Sequence, residues 1–285
     1  MQQKLFPDYV EDFIQLMDDF LANFDASLKF ESESSGTQVS RSYDVELDSG
    51  KVWIVIHRTA NSLNKKEGQY RVRVSVEFSE QQSEVLRPLS DGINRYSVLG
   101  VFIPSNANCM IGSQSLIFPQ HIETLAALMA SSIVFSKTSL IESLNKTISN
   151  TKKPKVQNIS AWSDIDFERL RYVNAQYGVN QLHNRALTFS FLNATIELTA
   201  IENNPQWGGG LLCLAKVPID CLSVNSNEIN VGGINQVAWL TCNTPLFGGW
   251  CRVDDALFFT QFIPNFLKEV PGMTDMILSA AKDQI

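Results

Sequence analysis

The 285-residue sequence predicts an α+β protein of two tandem domains, each an antiparallel sheet with helices in the order helix, three strands, helix, hairpin, helix. Three observations carry that expectation. The length favours two compact units of about 120 to 150 residues each. The apolar residues change from helical spacing to alternation and back, once in each half. A Gly-Ile-Asn stretch recurs at 92–94 and 233–235, ahead of a hairpin region each time. The expected boundaries are 1–144 for the first domain, 145–160 for a linker and 161–285 for the second.

The first helix spans 8–24. Val10, Phe13, Ile14, Met17, Phe20, Leu21 and Phe24 fall on one stripe, and Asp8, Glu11, Asp12, Asp18 and Asp19 occupy the rest. The stretch 31–40 is polar and reads as a connection. Three alternating runs follow: Tyr43, Val45, Leu47; Val52, Ile54, Ile56; and Tyr70, Val72, Val74, Val76, Phe78. Asp48-Ser49-Gly50 supplies a tight turn between the first two. Arg71, Arg73, Ser75 and Glu77 alternate with the third run, so the opposite face of that strand is wet or meets a polar partner. A middle helix is expected within 83–101, despite Pro88 and Gly92. Residues 108–118 form a short pair of strands or one bent strand, and Pro119 opens a closing helix with Ile122, Leu125, Ala126, Met129 and Ile133 on one side.

Between 145 and 160 the composition turns to Lys, Thr, Ser, Asn and Pro, with Lys146, Lys152, Lys153 and Lys155 close together, as in a linker. In the second half Ser163 and Asp166 are spaced to cap a helix carrying Leu170, Val173 and Tyr177. Strands are expected at 187–191, 196–200 and 211–217, a middle helix within 224–242, a hairpin at 245–260 and a closing helix over 264–281. Cys109 to Leu116 and Cys251 to Leu257 are aligned as the same part of the two repeats, with a one-residue shift.

Composition limits function. Hydrophobic residues at 44% and charged residues at 19% suit a packed globular chain. A net charge of −7 gives no electrostatic basis for binding phosphate backbones, so no nucleic-acid partner is expected. The longest apolar stretch, 125–135, is well short of the ~20 residues a bilayer requires, so no membrane partner is expected. No secretion signal is read in the N-terminal stretch. The five cysteines, Cys109, Cys213, Cys221, Cys242 and Cys251, form no CxxC pair, and most sit beside apolar residues, as buried reduced thiols of a cytoplasmic protein do.

No catalytic residue, metal site or cofactor is expected. His57, His121 and His183 have no ligand spacing, and Gly208-Gly209-Gly210 leads into a strand where a phosphate loop would lead into a helix. Asp254-Asp255 reads as a hairpin turn. A hydrolase or transferase would need a histidine to converge with a Cys or Asp in a cleft. The five tryptophans suit either cores or pockets.

The stretch Asn243-Thr-Pro-Leu-Phe-Gly-Gly-Trp-Cys-Arg-Val-Asp-Asp-Ala-Leu-Phe-Phe, followed by a proline, and the element order of both halves resemble the type III secretion chaperone and YbjN-like superfamily. The secretion chaperones are about half this length and contain one unit. The resemblance implies a non-enzymatic chaperone or adaptor that holds an extended apolar segment of a client protein or peptide, with a pseudo-dimer made within one chain. Strand addition or groove docking would supply the contacts, with Phe13, Met17, Phe20, Trp53, Val55 and Trp207 as the candidate peptide-binding residues. The alternative is a structural or assembly factor forming a fixed scaffold in a larger complex.

Overall fold

Alternation along each half produces a sheet with one apolar face, and in the computed structural model there are two such sheets, each of six antiparallel strands. The structure describes residues 6–22, 29–35, 38–45, 50–58, 69–96, 100–135, 162–174, 179–183, 186–191, 193–204, 208–222, 228–241 and 248–265. The first half runs α1 (Asp8–Ala22), β1 (Lys29–Ser35), β2 (Gln38–Val45), β3 (Gly50–Arg58), β4 (Tyr70–Glu77), α2 (Glu80–Leu86), a 3-10 turn, α3 (Ser90–Tyr96), β5 (Val101–Ile103), β6 (Met110–Leu116) and α4 (Ile122–Phe135). The second runs α5 (Asp164–Asn174), β7 (Val179–His183), β8 (Ala186–Phe191), β9 (Ala194–Asn204), β10 (Gly208–Pro218), α6 (Val231–Thr241), β11 (Gly249–Val253) and β12 (Ala256–Pro264).

The strand orders are β1-β2-β3-β4-β6-β5 and β7-β8-β9-β10-β12-β11, the same path taken twice. In both, the hairpin's second strand inserts beside the fourth strand, which leaves β5 and β11 at one edge of their sheets. The expected three strands before the middle helix are four. The expected run at Tyr43 and Val45 belongs to β2; the added strands are β1, which falls largely on the polar stretch 31–40, and β7, which falls between the expected helix and first strand. End strands of a sheet have less apolar surface to bury than central ones, so their sequences lack the alternation that marks β3 and β4.

Helices α1 and α4 pack together, burying Val10, Phe13, Ile14, Met17 and Leu21 with Leu125, Leu128 and Met129. They share a core with Val52, Ile54, Ile56, Val72, Val74 and Val76 of the sheet. Two serines also lie in that core: Ser113 Oγ is 3.2 Å from Ser132 Oγ, and Ser132 donates to the Met129 carbonyl at 2.7 Å. Helix α5 starts as its sequence predicts, with the Ser163 N–H and hydroxyl donating to Asp166 at 2.8 Å and the Asp166 N–H returning to Ser163 Oγ at 3.3 Å.

Three further expectations change. The first middle helix breaks into α2 and α3 around Pro88, and it ends at Tyr96, so that Val101–Ile103 is already the first strand of the hairpin. Pro264 ends β12, paired with Gly210, and a 3-10 turn begins at Asn265, the last described residue. Cys109 and Cys251 are not equivalent. The Phe78 N–H donates to the Cys109 carbonyl and the Ile219 N–H to the Asp255 carbonyl, both at 2.9 Å, so Cys109 corresponds to Asp255. The linker 145–160, the closing helix beyond residue 265, the turn at 46–49 and Cys242 lie outside the described residues.

Candidate binding surfaces

The repeated Gly-Ile-Asn places an asparagine on each middle helix, and both asparagines do the same job. Asn94, on α3, donates through Nδ2 to the Phe102 carbonyl at 3.0 Å and accepts from the Phe102 N–H at 2.7 Å. Asn235, on α6, makes the same two bonds with Trp250, at 2.9 and 2.7 Å. A primary amide carries one donor side and one acceptor side, as a backbone peptide does, so each asparagine stands in for a missing neighbouring strand. The edges at β5 and β11 are thereby satisfied by side chains.

Those edges also meet. A Cβ on Gly249 would lie 2.6 Å from Val101, 3.0 Å from Asn94 and 3.2 Å from Asn235. Around this point the middle helices cross over, α3 packing on β11 and α6 on β5 and β6. Asp91 of α3 accepts from the Arg252 N–H at 3.0 Å. The counterpart position pairs Gly232 with Pro104, whose nitrogen has no hydrogen to donate, and a Cβ on Gly232 would lie 2.6 Å from the proline ring.

Helix α6 covers part of the first sheet's outer face, the face opposite α1 and α4. Trp239 lies over Gly112, where an added Cβ would come within 2.7 Å of the indole. Arg73 donates to the Leu240 carbonyl at 2.9 Å and to Gln114 at 3.2 Å, with its guanidinium 5.8 Å from the Trp239 ring. Beside Arg73 across β3 sit Val55 and, on the same face, the half-buried Trp53 and His57. Trp53 Nε1 donates to Glu77 at 2.9 Å, and Asn108 donates to the other Glu77 oxygen at 2.7 Å. Burial, then the charges of Arg73 and Arg71, hold the His57 imidazole below its ordinary pKa. On α6 itself Val237 and Leu240 are 59% and 55% exposed.

The second sheet's outer face carries an open cleft of about 790 Å³, lined in part by Lys216, Asp220, Leu222, Asp254, Asp255 and Phe258. Asp254-Asp255 forms the two-residue turn of the β11–β12 hairpin, as the sequence indicates, with Asp254 at a φ of 51°. The Lys216 ammonium is 5.8 Å from the centre of the Phe258 ring.

The six candidate peptide-binding residues do not form one surface. Phe13 and Met17 are 0% and 1% exposed, held between α1, α4 and the sheet, and in this arrangement they present no area to a partner. The buried part of the α1 stripe is taken up by α4 and the sheet. Phe20 is half-buried, Trp53 and Val55 share the outer face of β3, and Trp207 lies outside the described residues. The residues that the sequence did not single out are Asn94 and Asn235 as edge caps, Trp239, and the cleft pair Lys216 and Phe258. Lys216 carried a signal, as the one charged residue in the apolar run of β10.

Among the described residues, no group of three or more His, Cys, Asp or Glu is placed to hold a metal ion. Cys109, Cys213 and Cys251 are buried and Cys221 is exposed. Burial raises the Cys213 thiol to about 12. Burial and the Asp91 carboxylate, opposed by Arg95, take Cys251 to about 11. Neither has the depressed pKa of a nucleophile. His57 belongs to the first sheet and His183 to an end strand of the second. No described helix is long and apolar enough to cross a membrane. No protein-family model matches the chain, and no curated protein matches it significantly.

Proposed function

We propose that this chain is a non-enzymatic protein- or peptide-binding chaperone or adaptor, made of two tandem copies of a fold similar to that of the type III secretion chaperones and YbjN-like proteins. It acts in the cytoplasm and holds an extended apolar segment of a client. The observation that best supports this reading is the outer face of the first sheet, where Val55 lies across from Arg73 with Trp53 beside it on β3, and Arg73 in turn reaches α6 with its exposed Val237 and Leu240. An aromatic ring and aliphatic side chains beside a partly open helix are what an apolar peptide needs for anchorage.

The tandem reading draws on the repeated strand order and on Asn94 and Asn235 making matching bonds. Asparagine capping of β5 and β11 directs strand addition to the far ends of the sheets, where no described strand pairs with the outer sides of β1 and β7.

The test uses the full chain as bait for mass spectrometry of bound proteins, with titration of short apolar peptides followed by tryptophan fluorescence. Trp53→Ala and Val55→Glu each weaken binding by at least about tenfold if this face is the anchor. Recovery of no protein partner, with no response to any apolar peptide, overturns the reading.

A second reading, a fixed scaffold within a larger complex, draws on the crossed helices and paired asparagines that join the two sheets. It is favoured if hydrogen exchange shows a stable partner protecting one broad surface while extended peptides do not bind.

A further inference from the structure

We propose that the cleft between β10, the β11–β12 turn and the 3-10 turn at Ile219–Cys221 docks a lysine or arginine side chain of an extended peptide. The inference rests on the peptide-binding reading and adds to it a second subsite of defined chemistry.

The first argument is charge. Asp220, Asp254 and Asp255 are all exposed around the cleft, and among the described lining residues Lys216 is the one cation. Arg252, nearby, directs its Nε to the Asp254 carbonyl at 3.5 Å. The second is the floor. Lys216 already lies over the Phe258 ring, so the cleft accommodates an alkylammonium group on an aromatic face, where a desolvated cation gains most. Volume agrees: about 790 Å³ admits a long side chain with its flanking residues.

The third argument is internal. By the pairing of β4 with β6 and of β10 with β12, Phe258 corresponds to Gly112 and Pro218 to Glu77. In the first sheet this place is closed by the chain itself. Trp239 lies on Gly112, Trp53 and Asn108 both bond Glu77, and Arg87 donates to the carbonyls of Ser105 and Asn106 in the longer β5–β6 connection. The second sheet has a two-residue turn there and a carboxylate at each of its positions. Where Gly112 leaves room for the Trp239 ring, the second sheet supplies its own ring at Phe258, and the space beside that ring stays open with an anionic rim.

The test is titration of the full chain with an acetylated, amidated hexapeptide of alternating leucine and lysine, followed by amide chemical shifts. The same peptide with norleucine in place of lysine is the control. Expected are shifts at 216–222 and 253–258, binding that weakens with salt, and a loss of about threefold to tenfold in Asp254→Asn/Asp255→Asn. Lys216→Gln removes the competing cation and strengthens binding by about twofold to fivefold, a gain that a damaged fold cannot produce. Equal binding of the lysine and norleucine peptides, or shifts confined to the Trp53 and Val55 face, overturns the cleft while leaving peptide binding intact. If neither peptide binds, both readings fail.

Discussion

Replacing Asn235 by alanine isolates the side-chain amide that closes the β11 edge. The residue is 0% exposed and bonds both backbone groups of Trp250, at 2.9 and 2.7 Å. Alanine leaves a buried N–H and a buried carbonyl without partners, at about 1–3 kcal/mol for each. Some of this is recovered if water enters the space vacated by the amide. The expected net loss is on the order of 3 kcal/mol, or a fall of roughly 6–12 °C in Tm for a chain of this size. Asn94→Ala should cost a similar amount, because Asn94 makes the same pair of bonds at 3.0 and 2.7 Å. Calorimetry or thermal unfolding by circular dichroism measures the loss, and hydrogen exchange at the Trp250 amide reports the opening of the edge directly. An Asn235→Ala protein within about 0.5 kcal/mol of the parent, with Trp250 still protected, would refute the idea that the amide substitutes for a strand.

Other perturbations follow from the same geometry. Gly112→Ala forces a Cβ within 2.7 Å of Trp239 and 3.0 Å of the Val74 carbonyl, and should cost about 1–3 kcal/mol, with a fluorescence change that disappears in a Trp239→Phe background. Gly248→Ala should be worse than Gly100→Ala in urea unfolding, since its Cβ would overlap the Thr260 carbonyl, whereas that of Gly100 would lie 3.0 Å from the Gly112 carbonyl. The depressed His57 pKa means that the unfolded chain binds its proton first. Stability contributed by the neutral imidazole is therefore present above its ordinary value of about 6.5 and is lost as pH falls from there toward the lowered native value. His57→Gln should flatten unfolding midpoints across that window. Iodoacetamide at pH 8 should modify Cys221 ahead of Cys109, Cys213 and Cys251, as read by peptide mass mapping, and slowly for an exposed thiol, because desolvation and the Asp220 carboxylate raise its pKa.

What could be read in the sequence follows how much each segment buries. Val52, Ile54 and Ile56 alternate because one face of β3 lies entirely in the core, and the stripe on α1 is apolar because α4 covers it. Strands β1 and β7, at the far ends of the sheets, lack a comparable run, and hence three strands were expected where there are four. The Gly-Ile-Asn repeat was visible, but its chemistry was not. A buried asparagine bonded to backbone eight or fifteen residues ahead has no local pattern, and the glycine ahead of the strand sits at different distances in the two halves. The aligned cysteines misled because spacing was matched without register, and Cys109 faces the position of a turn aspartate. Of the candidate site, Trp53 and Val55 share the outer face of β3, whereas Phe13 and Met17 could be separated from it only by knowing what lies over α1.

The crossing of the middle helices also sets a timetable for synthesis. The first sheet's β5 and β6 are complete by Leu116, yet the helix that covers their outer face ends only at Thr241. At about 5–20 residues per second, a ribosome takes roughly 6–25 s to make the intervening chain. Throughout that interval Gly112 and its apolar neighbours await Trp239, and the nascent first half has the Asn94 amide to keep the β5 edge from pairing with another chain. An amide supplied from only eight residues upstream is in place before the edge it guards has left the ribosome, so protection against aggregation precedes the joining of the halves.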